Sequence, residues 1–428
     1  MRMNDQELKY VYGVLGAGRQ GTAAAYDFAK FGNARKIVLG DINLDVAREA
    51  ANRVNHLTGR DVAEGMSVNV ASSTELDRFL TGIDAFLSAV PYYYNLEIAR
   101  AAIRAHANMC DLGGNTDVAR NELLLDKEAM DRGISIVPDC GVGPGMLATL
   151  ACYGMSLLDK PQEVYIWDGG LPLKPRPPFN YLLTFHFDGL ANEYFGNAIF
   201  LRGGEIVEVP VLEELEYVRF PPPLGRLEAF VTSGGTSTCP WTFKGKLKVF
   251  QNKTLRYPGS YAQLRTMHDL GLFSDREIEI GHTKIVPRRV LQGLFEPKVR
   301  FPGDKDILAL RVRCVGERKK RRTEVLLEII DYFDEKTQFT AMERTTGWHA
   351  SIVAIMMTRG EIPSGAKPLE IAVPGNSFVK ELRRRGIKLT ERVNRIPPKR
   401  RSKGKKKTIM SHTTHPDYSS LMQMGAIS

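Results

Sequence analysis

The first 140 residues alternate between short apolar runs and amphipathic stretches. Apolar runs of strand length lie at six places, residues 11–15, 36–39, 67–71, 83–90, 109–112 and 134–138. The stretches between them place apolar residues at helical spacing, for example in 22–31, 44–56 and 95–105. Strands that alternate with helices predict an α/β domain built on a Rossmann doubly wound parallel sheet.

The pattern changes after about residue 161. Runs rich in β-branched and aromatic residues follow one another at 164–167, 182–187, 206–209, 229–232, 246–257, 309–315 and 324–332. They predict a second α+β domain with a mostly antiparallel sheet. Residues 345–358 are apolar at every turn and predict a buried helix that returns to the first domain. We therefore divide the chain into residues 1–145, 146–340, 341–392 and a tail, 393–428.

Charge is unevenly distributed along the chain of 428 residues. The formal net charge is +10, but residues 394–407 contain eight Lys or Arg and no acid, so that the remainder is close to +2. This composition predicts a basic, disordered tail. The tail has no aromatic residue for base stacking in its basic run, so a nucleic-acid-binding function is the weaker alternative.

Composition also bears on the compartment. We find no apolar run of about 18 residues and no apolar segment near the N-terminus, so we expect neither a membrane span nor a signal peptide. Five cysteines are scattered without a C-x-x-C pair. This arrangement favours a reducing cytoplasm and indicates neither a disulfide framework nor a metal site.

The candidate cofactor site is a glycine turn between the first strand and the first helix. Gly16 allows a tight turn, Gly18 allows backbone to approach a pyrophosphate, and Gly21 allows the helix to pack closely on the strand. Asp41 ends the second strand, where it would bind ribose hydroxyls and repel a 2′-phosphate, so we predict NAD. The expected cofactor contacts are Gly16, Gly18, Arg19, Gln20, Gly21, Asp41, Ile42, Ala89, Val90, Pro91 and Gly113.

Other strand ends supply candidate catalytic residues, because ligands bind at the carboxyl ends of parallel strands. Asp139 follows the sixth strand, and Tyr92 follows the fourth. Gly143-Pro144-Gly145 precedes a predicted helix at 146–158, whose first N–H groups could hold a carboxylate. The alternative for Gly143-Pro144-Gly145 is a plain helix start. The alternative for Asp139 is an acid at a helix N-terminus, and that for Tyr92 is a packing role.

Six segments together carry a family pattern. They are Leu15–Gly18, Asp111–Gly114, Pro138–Met146, Leu227–Phe230, Thr232–Thr238 and Lys253–Tyr257. Over residues 11 to about 390 the chain resembles the saccharopine dehydrogenase-like family, and within it the lysine 6-dehydrogenases. The resemblance implies NAD-linked oxidation of a small amino-acid substrate at a carbon–nitrogen bond, and a homo-oligomer, dimer or larger, formed through the second domain.

The implied reaction is oxidative deamination of L-lysine at its ε-carbon. The products are ammonia and 2-aminoadipate 6-semialdehyde, which cyclises to piperideine-6-carboxylate. Asp139 and Tyr92 are the catalytic candidates, and Arg256 is the candidate for the α-carboxylate because its guanidinium fork matches that group. The remaining substrate-binding candidates are Thr236, Ser237 and Gly143. The alternative for Arg256 is an arginine on the surface, and that for the loop with Thr236 and Ser237 is an ordinary polar loop. His186 is more readily explained as a structural residue than as the catalytic base.

Two other substrates remain open within the family. One is saccharopine, for a saccharopine dehydrogenase or reductase, and the other is the substrate of a carboxynorspermidine dehydrogenase-like enzyme. Saccharopine carries three carboxylates and would need additional Arg or Lys in its pocket. Arg256 is the single clear candidate for such a role, which favours free lysine.

Overall fold

The first sheet of the computed structural model, which describes residues 8–397, has seven strands. All of its neighbouring strands are parallel. Their order across the sheet is Gly365–Ala366, Ser135–Val137, Asn108–Asp111, Ala85–Ser88, Tyr10–Leu15, Ala34–Asp41 and Ala63–Ser67. The predicted doubly wound parallel sheet is thus confirmed, with one added strand contributed by residues far along the chain.

The second sheet has nine strands. Seven follow in the order Glu216–Arg219, Arg226–Phe230, Val249–Arg256, Lys160–Pro172, Asp306–Arg318, Arg321–Tyr332 and Leu389–Arg395, while Asn197–Arg202 and Glu205–Pro210 form a branch. Neighbours are antiparallel, except that Val249–Arg256 runs parallel to Lys160–Pro172. A separate hairpin joins Ile278–Ile280 to Thr283–Ile285. The second domain is therefore α+β with a mixed, mostly antiparallel sheet.

Helices cover the first sheet and separate it from the second. Those of the first domain are Arg19–Phe31, Leu44–Thr58, Ser73–Leu80, Asn95–Ala105, Thr116–Leu123 and Asp126–Asp131. The later helices are Leu147–Ser156, Phe187–Glu193, Cys239–Phe243, Ser260–Asp269, Pro287–Val299, Ala341–Thr358, Leu369–Ala372 and Gly375–Arg384. Among residues 8–397, none of these helices is both long and apolar enough to cross a membrane.

Two predicted strands are wrong. The third strand is Ala63–Ser67 and not 67–71, because the Asn69 side chain accepts from the Ala71 N–H and turns the chain there. Residues 182–187 do not form a strand. The Leu183 N–H donates to the Val299 carbonyl, and a helix begins at Phe187 with the ring of His186 as its N-cap. Residues 116–131 form two helices, Thr116–Leu123 and Asp126–Asp131.

The long helix Ala341–Thr358 is buried on nearly all sides and packs against the cofactor-side helix Arg19–Phe31. A Cβ at Gly347 would lie 2.7 Å from the Gln20 carbonyl oxygen, so glycine is required for this close approach. Behind the contact, Arg385 forms an ion pair with Asp27 at 2.8 Å, with both side chains fully buried. Segments from the two ends of the described chain therefore form one core.

The C-terminal region divides at the edge of the described residues. The strand Leu389–Arg395 pairs with Arg321–Tyr332 and so crosses the predicted boundary at residue 393. The predicted disorder of the basic tail concerns residues that lie outside the described range from 398 onward.

Candidate active site

The glycine turn has a distinct structural reason for each glycine. Gly16 has a φ of +92°, and a Cβ there would lie 2.6 Å from the Ala89 carbonyl oxygen. A Cβ at Gly21 would lie 2.0 Å from the Gly16 carbonyl oxygen. At Gly18 a Cβ would meet nothing within 4 Å. Gly16 and Gly21 are therefore required by the fold, whereas Gly18 leaves an open approach to the backbone.

The helix that follows this turn begins without a side-chain cap. Its N-cap is Gly18, and the first turn holds no acidic residue. The amide nitrogen and oxygen of Gln20 are buried without a hydrogen-bond partner among the described residues. Uncapped N–H groups, an open Gly18 and an unpaired amide form a cradle suited to the pyrophosphate of a dinucleotide. Arg19 lies at the rim and pairs with Glu343.

Asp41 closes the same cradle from the second strand. Its Oδ2 accepts from the Ala17 N–H and its Oδ1 from the Asn43 N–H, both at 3.0 Å. The carboxylate is thereby fixed beside the glycine turn, with lone pairs left for ribose hydroxyls. The next residue, Ile42, is 74% exposed and offers no positive charge to a 2′-phosphate.

The fourth and fifth strands end beside this turn. Ala89 contacts Gly16, and Val90 and Pro91 lead into the short helical turn Tyr92–Tyr94. A Cβ at Gly114 would lie 2.9 Å from the Tyr92 ring, which places that ring over the end of the fifth strand. The predicted positions around the nicotinamide end are therefore neighbours in space. Whether Tyr92 takes part in chemistry stays a prediction.

Asp139 is the central buried acid at this edge. Its backbone has a φ of +63°, and a Cβ at Gly113 would lie 2.2 Å from its Oδ1. Its Oδ2 accepts a short hydrogen bond from the Ser237 hydroxyl, while its Oδ1 has no partner among the described residues. Burial and the nearby Asp111 raise the pKa of Asp139 to about 7, and the Ser237 bond opposes that rise. Two separately predicted candidates thus meet in one pair.

Two more acids, absent from the sequence-based set, stand behind Asp139. The Oδ1 of Asp111 accepts from the N–H groups of Gly113 and Asp139, at 2.7 and 3.2 Å. Burial and the adjacent Asp111 raise the pKa of Glu122 to about 11. Through its two accepted hydrogen bonds, Asp111 joins the ends of the fifth and sixth strands.

The segment after Asp139 leads into the predicted helix. Gly143-Pro144-Gly145 has non-helical backbone and precedes the helix Leu147–Ser156, which lies within the predicted range 146–158. Gly143 lies against Asp168, whose Oδ2 would be 3.1 Å from a Cβ at that glycine. Whether the first N–H groups of this helix hold a carboxylate stays a prediction.

Two further side chains, both missed from the sequence, hold this region. His349 Nδ1 lies 2.7 Å from the Cys140 carbonyl oxygen, and its Nε2 lies 3.0 Å from the Thr149 hydroxyl. Asp168 accepts from Asn252 at 2.9 Å. The available signals were a histidine inside an apolar helix and an acid inside an apolar strand that is followed by two glycines.

The remaining substrate candidates are occupied by protein contacts. The Thr236 hydroxyl donates to the Ile199 carbonyl at 2.7 Å, so it supports the loop. Arg256 is buried and donates to Tyr194, to the Leu255 carbonyl and to Glu193 at 2.9 to 3.0 Å. A cavity of about 20 Å³ beside it has room for roughly one water. The carboxylate role of Arg256 stays a prediction, since a ligand must share the guanidinium with Glu193.

Family models match nearly the whole described chain. The saccharopine dehydrogenase NADP binding domain matches residues 12–137, and the saccharopine dehydrogenase C-terminal domain matches residues 141–387. The protein belongs to the saccharopine dehydrogenase family. The family assignment agrees with the resemblance seen in the six motifs, while the narrower likeness to lysine 6-dehydrogenases goes beyond it.

Curated relatives of this saccharopine dehydrogenase family member are distant. Alpha-aminoadipic semialdehyde synthase of Bos taurus is 25% identical over 247 residues, which are 54% of this chain and 26% of that protein. Saccharopine dehydrogenase [NADP(+), L-glutamate-forming] of Saccharomyces cerevisiae is 23% identical over 254 residues, 56% of this chain and 55% of that protein. The chain thus spans between about a quarter and about half the length of these relatives.

Solved structures share the fold. Apo saccharopine dehydrogenase (L-Glu forming) from Saccharomyces cerevisiae superposes with a TM-score of 0.72 and 17% identity, covering 90% of this chain and all of that one. Homospermidine synthase from Legionella pneumophila in complex with NAD gives 0.62 and 12% identity, covering 96% of each chain. At these identities the likeness is one of architecture.

Proposed function

We propose that this family member is an NAD-linked dehydrogenase that deaminates L-lysine at its ε-carbon. The observation that carries the proposal is the buried Asp139–Ser237 pair at the carboxyl edge of the first sheet, beside Gly113. A carboxyl group whose pKa is about 7 is half ionised near neutral pH and is well suited to proton transfer.

In this proposal Asp139 is the general base. Its unpaired Oδ1 accepts a proton from the ε-ammonium of lysine, and Ser237 holds the carboxylate in position. NAD, when bound in the cradle, supplies the hydride acceptor. Water then hydrolyses the resulting substrate imine to ammonia and the semialdehyde, which cyclises. The protein's contribution is to orient the ε-amine, to receive the proton and to limit the access of water.

NAD is proposed rather than NADP because of the second strand. Asp41 is anchored by the Ala17 N–H, so its charge cannot readily swing away from a 2′-phosphate. The family model described as NADP binding and the NADP(+)-named relative favour the other cofactor. The fixed position of Asp41 supports the proposed preference.

Saccharopine is the second candidate substrate, favoured by the names of the relatives. Its three carboxylates would enter a region where Asp111 and Glu370 raise the pKa of Asp139 through their charge, and where Glu193 does the same to Asp168. Carboxyl groups placed against a tricarboxylate repel it. An acidic surrounding favours an amine-rich substrate with one carboxylate.

One assay separates these candidates. NADH and NADPH formation is measured with L-lysine and with saccharopine, and cofactor oxidation is measured with the semialdehyde plus glutamate and with lysine plus 2-oxoglutarate. Homospermidine is added as a polyamine control. The proposal requires turnover of L-lysine alone with NAD. Turnover of saccharopine without turnover of lysine would replace it with the second candidate.

A further inference from the structure

Asp168 is an acid of the second sheet that faces the Asp139 segment. It lies on the strand Lys160–Pro172, is partly exposed, and approaches Gly143 with its Oδ2. Neither the sequence pattern nor the reaction proposed above gives it a role. It is therefore an acid between the two domains whose function the proposed general base does not explain.

The amide beside Asp168 has a forced orientation. Asn252 Nδ2 donates to Asp168 Oδ1 at 2.9 Å, because a carboxylate can only accept. This leaves Asn252 Oδ1 buried without a donor among the described residues, although Asn252 is only 2% exposed. A buried amide oxygen without a donor is costly unless a ligand supplies one. Asn252 is thus an independent indication that a group carrying N–H donors binds beside Asp168.

Local charge points to the same kind of group. Arg256 and Glu193 neutralise each other across 3.0 Å, whereas Asp168 has the Asn252 amide as its hydrogen-bond donor and no ion-pair partner within the described chain. Burial and the charge of Glu193 raise the pKa of Asp168, and the charge of Arg256 lowers it. An ammonium at Asp168 would compensate this excess negative charge.

Arg256 can complete the recognition of an amino acid. Three of its five N–H groups are used by Tyr194, Leu255 and Glu193, which leaves two for a carboxylate. Thr254 lies opposite Asp168 in the parallel pairing of their strands, and Arg256 is two residues further along on the same face of the sheet. A donor for a carboxylate and an acceptor for an ammonium therefore lie near each other. This is the pairing that the zwitterionic head of an α-amino acid requires.

We propose that Asp168 binds the α-ammonium of an α-amino-acid substrate while Arg256 binds its α-carboxylate, with Asn252 positioning Asp168. This inference rests on the proposed function, since it takes the reacting amine to lie at Asp139. It adds the residue that recognises the far end of the substrate and assigns the class as an α-amino acid with a distal amine.

The test uses three ligands that differ only in the head group. L-Lysine has both head groups, 6-aminohexanoate lacks the α-ammonium, and cadaverine lacks the α-carboxylate. Each is titrated calorimetrically into the full-length protein saturated with NADH, so that binding is measured without turnover. The variants are Asp168→Asn and Arg256→Met, with Asp168→Ser in reserve should Asp168→Asn fail to fold by thermal melting.

The expected result is a crossed pattern. Asp168→Asn should weaken the binding of L-lysine and of cadaverine at least tenfold and change the affinity for 6-aminohexanoate by less than twofold. Arg256→Met should weaken the binding of L-lysine and of 6-aminohexanoate and leave the affinity for cadaverine unchanged. Glu163→Gln, which removes an acid from the same strand, is the matched control and should change none of the three affinities.

Two results would overturn the inference. One is that Asp168→Asn lowers the affinity for all three ligands by the same factor. The other is that the parent protein binds L-lysine no more tightly than 6-aminohexanoate. The proposed function fails separately. If the crossed pattern appeared without NADH formation from L-lysine, the head-group site would stand and the reaction would not.

Discussion

His349 and the Cys140 carbonyl form a hydrogen bond of 2.7 Å between the long C-terminal helix and the segment that follows Asp139. Since a carbonyl only accepts, the proton is on Nδ1, and Nε2 accepts from Thr149 at 3.0 Å. Burial lowers the pKa of His349 to about 4, which keeps the ring neutral. The ring thereby connects the cofactor-side core to the loop of the proposed base.

Replacing His349 should lower the stability of the fold more than it affects the reaction. His349→Leu leaves the Cys140 carbonyl buried without a donor and should cost about 1–3 kcal/mol of unfolding free energy. His349→Gln retains one donor and one acceptor, so it should recover part of that loss. Urea titrations of both variants measure the difference. Equal stability of the leucine variant and the parent would show that the hydrogen bond contributes nothing.

The same ring predicts a pH dependence of stability. His349 titrates at its ordinary pKa of 6.5 when unfolded and at about 4 when folded. Its contribution is fully present above 6.5 and is lost as the pH falls from there to about 4, by at most about 1.4 kcal/mol per pH unit. The parent should show this loss relative to His349→Gln, because the shared carboxyl groups cancel in the difference. If the unfolding free energies of the parent and of His349→Gln changed with pH in the same way, the lowered pKa of the buried ring would be contradicted.

The Ser237–Asp139 pair predicts the acid limb of activity. If Asp139 must be ionised to accept a proton, kcat/KM for the amine should rise with pH through about 7. Ser237→Ala removes a hydrogen bond that lowers the pKa of Asp139, so the limb should move to higher pH. Asp139→Asn should reduce kcat by about 10²- to 10⁴-fold.

A hydroxyl on the same loop provides the control for this experiment. Ser233 donates to the Asn197 carbonyl at 3.2 Å and not to Asp139, so Ser233→Ala should leave the pH profile unchanged. A profile that stays the same in Ser237→Ala, or full activity in Asp139→Asn, would assign the base to another residue.

Asp41 should determine the choice of cofactor. Asp41→Asn keeps a side-chain oxygen to accept from Ala17 and removes the charge that opposes a 2′-phosphate. The parent should bind NADH more tightly than NADPH, and the variant should narrow that ratio by about tenfold for each 1.4 kcal/mol of lost repulsion. Nucleotide fluorescence titrations give both constants. A parent protein that prefers NADPH would refute this reading of Asp41.

Gly18 and Gly21 form a matched pair in the same turn. Gly18 has a φ of −70° and open space around it, so Gly18→Val should abolish NADH binding while changing unfolding free energy by less than about 0.5 kcal/mol. Gly21→Ala places a Cβ 2.0 Å from the Gly16 carbonyl oxygen and should cost about 1–3 kcal/mol. Calorimetry with NADH and thermal unfolding measure both. Normal NADH binding by Gly18→Val would locate the cofactor elsewhere.

The glycine turn could be predicted because its physics is local. A positive φ at Gly16 and a close contact at Gly21 arise within one strand, one turn and one helix. The position of Asp41 follows from the parallel pairing of the first two strands. The sequence around each position therefore contains most of the information that determines its role.

Asp168 and His349 could not be identified in that way. Asp168 acquires its surroundings from Asn252 and Gly143, which come from a neighbouring strand and from another domain. His349 meets Cys140 across 209 positions of sequence. The β-branched and aromatic residues of the run 182–187 predict a strand, whereas a backbone contact with Val299 decides its conformation. Such contacts are set by tertiary packing, which local patterns do not encode.

The seventh strand of the first sheet affects how the chain folds during synthesis. Gly365–Ala366 pairs with Ser135–Val137, and Trp348 stacks against Tyr26 on the cofactor-side helix. At ribosomal rates of about 5–20 residues per second, the emerging first domain waits on the order of 10 to 45 seconds for these segments. Until then its apolar face is uncovered, so this domain should depend on chaperones on the ribosome, and premature termination before residue 341 should leave it prone to aggregation.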